Sequence, residues 1–160
     1  MMKKILGTTL LLASLSVSAF AAIPRDQMHI GGLKLGMTMQ QVAAMYGMPV
    51  ADKSGTKASG GLYNIANGLL YGWVDKQSNV FDRFAFDERK PGAEQVTGTG
   101  GIRLGMTVAE VEQRLGSPDI KDGNTYHYKS AEKGISLRQH DMFIVGFQNG
   151  RVALFTINVF

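Results

Sequence analysis

The sequence predicts an α+β fold of two tandem repeats. Each is a short helical segment followed by an antiparallel sheet, with the helices packed on one sheet face. Three observations lead there. The stretch Leu35-Gly36-Met37-Thr38 returns as Leu104-Gly105-Met106-Thr107. Residues 31–49 align with 100–118 at a constant offset of 69, without a gap and with nine identities in 19 positions, which marks an internal duplication. After each copy the periodicity changes from helical to alternating, with turn signals between the alternating runs.

The repeated letters have a physical meaning. Thr38 and Thr107 are N-cap residues, and Gln41 and Glu110, three positions on, complete capping boxes. Met37 with Val42, and Met106 with Val111, have the N′-to-N4 spacing of a hydrophobic staple. Helices are predicted over Met39–Tyr46 and Val108–Leu115. Gly47 and Gly116 suit a left-handed C′ position, and Pro49 and Pro118 prevent continuation. In the second helix Val108, Val111 and Leu115 form one apolar face; in the first, Met39, Val42 and Tyr46 take the inward places.

The sheets follow. Leu69–Asp75 and Val80–Asp87 pair as a hairpin in the first half. In the second, Thr125–Ser130 and Ile135–Gln139 are strands, and Asn149-Gly150 joins Met142–Gln148 to Arg151–Val159 through the strongest two-residue hairpin signal. Gly55–Gly61 is a loop, and Glu88–Gly101 is a polar, flexible connection. The repeats therefore span 22–92 and 102–160, with a linker at 93–101. Helices on one face leave the other face of the sheet to solvent or a partner.

Residues 1–21 are expected to be a signal peptide: Lys3 and Lys4, an uncharged apolar run from Ile5 to Phe20, and a small-x-small site at Ala19-Phe20-Ala21. The run is short for a membrane-spanning helix, which needs roughly 20 residues. Without Lys3 and Lys4 the 17 basic residues become 15 against 13 acidic ones, a net charge of +2. Those basic residues are scattered along the chain with no stripe, which argues against a nucleic-acid partner. There is no cysteine, so neither disulfides nor a lipid anchor are expected, and the product is periplasmic or secreted.

The pattern carried by Leu35–Pro49 and Leu104–Pro118, followed by a hairpin, resembles the SmpA/OmlA (BamE) domain and the related tandem-repeat fold of the β-lactamase inhibitor proteins. The resemblance implies an exported, non-enzymatic binding module of the cell envelope. BamE-like proteins are lipoproteins of the outer-membrane β-barrel assembly machinery. The inhibitor fold carries two copies and binds enzymes with its concave sheet face. The partner implied is another protein, either an outer-membrane assembly component or a target enzyme. In the second case the chain is a soluble inhibitor of a β-lactamase, a protease or a lysozyme.

Chemistry finds few residues. Nucleophilic catalysis needs an activated Ser, Thr or Cys, and no G-x-S-x-G elbow occurs. His140 and Asp141 are adjacent, so on a strand they point to opposite faces. His127 and His140 lack metal-ligand spacing, and neither a metal nor a cofactor is expected. Gly98–Thr107 lacks the Gly-Lys-Ser/Thr ending of a phosphate loop. Aromatic and arginine side chains remain as candidates: Tyr71, Trp73 and Arg83 in the first half, Tyr126, Tyr128 and Arg138 in the second. Rings at these positions either face the helices as core or lie on the open face as anchors, since Tyr, Trp and Arg are the usual hot-spot residues.

Overall fold

The computed structural model describes residues 22–52, 61–134 and 139–159. Two helices, α1 (Met39–Tyr46) and α2 (Val108–Leu115), accompany eight strands: β1 (Val50–Asp52), β2 (Leu62–Ile65), β3 (Leu70–Val74), β4 (Phe81–Phe86), β5 (Ile120–Asp122), β6 (Thr125–Lys133), β7 (His140–Gln148) and β8 (Arg151–Val159). The strands form one antiparallel sheet in the order β1-β2-β3-β4-β8-β7-β6-β5. The class is α+β. No helix among the described residues is long and apolar enough to cross a membrane.

Both capping boxes form. The Thr38 hydroxyl accepts from Gln41 N–H while Gln41 Oε1 accepts from Thr38 N–H at 2.8 Å. Thr107 and Glu110 repeat this, with 2.7 Å between Thr107 N–H and the carboxylate. Each cap is also tied to the sheet. Gly36 N–H donates to Phe81 O and Phe81 N–H to Met37 O, at 2.8 and 2.9 Å; Gly105, Met106 and Val152 do the same at 2.9 and 2.8 Å. Such an approach requires φ of 88° at Gly36 and 82° at Gly105, where a side chain would be strained. The helices end at Gly47 (φ 81°, ψ 169°) and Gly116 (φ 80°, ψ −167°). This is the extended positive-φ region that glycine alone occupies, rather than the left-handed helical one expected.

One buried cluster joins Val42, Val111 and Leu115 to Leu70, Phe84, Phe143, Phe155 and Ile157 of the strands. A register shift between Trp73 and Val74 lets both Phe81 and Phe84 reach this core, where their rings stack 5.0 Å apart. The Asn149-Gly150 hairpin takes φ of 51° and 71°, as a type I′ turn needs.

Several elements differ from expectation. The three-residue strands β1 and β5, and strand β2, carry too little alternation to announce themselves. Tyr46, expected inward, sits at the surface, where its hydroxyl donates to Gly31 O. The 88–101 connection, expected to be flexible, is packed: Ala93, Val96 and Thr99 are buried, and Gly31 N–H and Thr99 N–H bond to Thr97 O and His29 O. Residues 135–138 and most of the Gly55–Gly61 loop lie outside the described residues, as do residues 1–21. At the far end of β6, Ile23 bridges Ser130, and Arg25 Nε meets the buried Asp141 carboxylate at 2.5 Å.

Candidate functional site

Alternation along β3 decides which aromatic residues can meet a partner. Leu70, Gly72 and Val74 are buried, so Tyr71 and Trp73 emerge on the opposite face. Gly72 enforces this arrangement, because a Cβ there would lie 2.5 Å from the Phe81 ring and 3.0 Å from Phe84. The rings of β4 therefore fill the core side, and Trp73 is left on the opposite side.

The register then builds a row across six strands. Leu62 lies opposite Trp73, Trp73 opposite Arg83, Arg83 opposite Asn158, Asn158 opposite Met142, and Met142 opposite Lys129. Directly opposed residues on one face are close enough to interact. The Arg83 guanidinium lies over the Trp73 ring, 5.3 Å from its centroid. Carried one strand further, the register places Asp52 of β1 opposite Leu62, so the row holds two cations and one carboxylate. Beside it, Tyr71 faces Asn64 and Ala85. Burial, then the adjacent Asp87 carboxylate, to which it is hydrogen-bonded, push the Tyr71 hydroxyl above its ordinary pKa. Asp87 itself is held low by hydrogen bonds from Arg89. Tyr71 is thus a neutral hydroxyl, with its ring half-exposed on the face.

The six residues singled out in the sequence separate. Tyr71, Trp73 and Arg83 come together on the face opposite Leu70 and Val74. Tyr126 and Tyr128 lie opposite Val145 and Phe143, on the core side. Tyr128 is 2% exposed, with its hydroxyl 3.4 Å from Gly116 O, and burial raises its pKa. It is a core residue and offers a partner no surface. Tyr126 is half-buried, edge-on to Phe147 and beneath Lys121 Nζ. Arg138 lies outside the described residues.

Leu62, Asn158, Met142 and Lys129 were not legible as members of this row. Cross-strand register places them there, and no local pattern encodes a pairing between Arg83 and Asn158, 75 positions apart. His127 Nδ1 and Asn158 Oδ1 are buried polar atoms without a hydrogen bond among the described residues. Also among these residues, no three His, Asp or Glu side chains gather as a metal site would require.

The arrangement defines a mixed patch: Trp73 and the exposed Arg83 side by side, Asp52 and Lys129 at the ends of the row, and Met142 buried between. Compared with known proteins, the chain matches no family model, no curated protein and no solved structure.

Proposed function

We propose that the chain is an exported, non-enzymatic protein-binding module of the cell envelope, built from two tandem copies of one unit. In this reading the two helices lie over one face of the sheet and leave the other to a partner. The nine gapless identities at offset 69 support the duplication, as do the matching ties of Gly36 to Phe81 and Gly105 to Val152. The strand order, β1 to β4 and then β8 back to β5, is what two units joined at β4 and β8 produce. The amino-terminal Lys3–Ala21 pattern supports export.

One observation carries the binding assignment. Trp73 is held out of the core on the face opposite Leu70 and Val74, with the exposed Arg83 stacked over it. Trp and Arg anchors concentrate the binding energy of protein interfaces.

The test is affinity capture from envelope extract with the wild-type chain beside Trp73→Ala and Arg83→Ala. A protein enriched by the wild type and lost with Trp73→Ala is expected. Enrichment that ignores both substitutions, or no enrichment over control, refutes the assignment. If the captured protein is an enzyme, stoichiometric inhibition by the purified chain identifies the chain as an inhibitor. Co-purification with outer-membrane barrel components, without inhibition, identifies an assembly module.

A further inference from the structure

A second surface, at the sheet edge away from Arg83, has a different chemistry. Met45 is 47% exposed, Tyr46 36%, Met48 69% and Val50 66%. These are four of the six large apolar side chains so exposed among the described residues, and they follow one another along the end of α1 and the start of β1. No charged residue occurs from Leu35 to Ala51. Among the described residues β1 is an edge strand, paired only with β2. Beside it runs a groove of about 460 Å3, lined by Tyr46, Met48, Val50, Asn64 and Tyr71, with Lys90 as its one charged residue.

The opposite edge shows what protection looks like. At offset 69, Ala43, Met45, Met48 and Val50 are replaced by Glu112, Arg114, Ser117 and Asp119. Glu112 pairs with Lys121 of β5 at 3.0 Å. The Asp119 carboxylate accepts from Lys129 N–H at 2.7 Å, and Arg114 caps the Gly100 carbonyl. Charges on and around an edge strand are the usual defence against further pairing. β5 has this defence, and β1 lacks it until Asp52.

We propose that the β1 edge and its Met48–Val50 shoulder form a self-association surface, on which a second copy of the chain docks through its own β1. Three properties select a second copy. The Met45–Ala51 run carries no charge, so it meets its own image without like-charge repulsion. Two identical edges pairing antiparallel are related by a two-fold axis, which closes the assembly as a dimer. The charged β5 edge makes a poor mate for β1, so head-to-tail growth is disfavoured. An axis near Val50 and Ala51 keeps the two Asp52 carboxylates apart. Met48, unbranched and flexible, suits such a contact. The interface is small, so the dimer forms and dissociates with concentration. This inference does not need the binding assignment above: Trp73 and Arg83 do not line the groove, although Tyr71 does.

Sedimentation velocity on purified protein, from micromolar to millimolar concentration, tests it. The wild type should pass from monomer to dimer, while Met48→Asp and Val50→Lys stay monomeric with unchanged circular dichroism. Ser117→Asp, at the position corresponding to Met48, should dimerise like the wild type. Because the chain has no cysteine, Val50→Cys offers a second measurement: oxidation should give a disulfide-linked dimer, and Asp119→Cys should not. A wild type that remains monomeric throughout, dimerisation that survives both Met48→Asp and Val50→Lys, or faster cross-linking of Asp119→Cys than Val50→Cys overturns the proposal. An unrelated peptide as the natural occupant of this edge would appear as the first of these results.

Discussion

After Thr38 the chain runs through α1 into the edge strand β1; after Thr107 it runs through α2 into the edge strand β5. Both segments use the same capping box, the same glycine tie to a strand and the same glycine stop. They differ in what the helix presents past its first turn. In α2, Leu115 goes into the core, while Arg114 and Glu112 find partners in the 100–101 turn and on β5. In α1, the corresponding Tyr46 stops at the surface, Met45 takes the place of the arginine, and β1 follows with its apolar residues uncovered. The residues that start and stop a helix can thus be kept while the surface beside them is rewritten. One shoulder closes an edge with charge, and the other leaves it available.

The largest expected effect comes from the helix ends. Leu115→Ala removes a buried side chain and should lower stability by about 2–4 kcal/mol. Tyr46→Phe, at the corresponding place, loses only the hydroxyl bond to Gly31 O and should lower it by about 1 kcal/mol. Urea midpoints of the two variants measure the difference. Equal losses would break the distinction between a closed shoulder and an open one.

The caps should respond alike. Thr38→Ala and Thr107→Ala each remove a hydroxyl that accepts an orphan helix N–H, and each should lower stability by about 1 kcal/mol in thermal melts. The two boxes do part in acid. Hydrogen bonds from Thr107 to the Glu110 carboxylate hold its pKa below the ordinary 4.5. A depressed folded-state pKa means that the unfolded chain binds the proton more readily. Stability from this group is therefore fully present above its ordinary pKa and lost as the pH falls through the folded value. Glu110→Gln should remove that part of the acid sensitivity, and Gln41→Glu should introduce the same dependence at α1. Both effects are small and read from urea midpoints at neutral and acid pH.

The helices and the long strands were legible because their information is local. Thr38 and Thr107 sit three residues from their capping partners, and Asn149-Gly150 states its turn in two letters. The contacts between distant segments were not legible. Nothing near Arg25 names Asp141, 116 positions away, and nothing near Val96 or Thr99 shows that this glycine-rich connection will be buried. The site was half legible for the same reason. Alternation separated Tyr71 and Trp73 from their neighbours. Which face took the core, and that Tyr128 would be in it opposite Phe143, depended on register. The uncharged run from Leu35 to Ala51 stood in the sequence throughout, but its meaning depended on β1 being an edge.

Hydrogen–deuterium exchange on the unaltered protein compares the two shoulders most directly. Amides of Val50–Asp52 and of Ile120–Asp122 are followed at low and at high protein concentration. Protection at β1 should rise with concentration while β5 stays unchanged, because only the β1 edge acquires a neighbouring strand. Protection that is independent of concentration at both edges, or that rises at β5 and not at β1, would contradict the account.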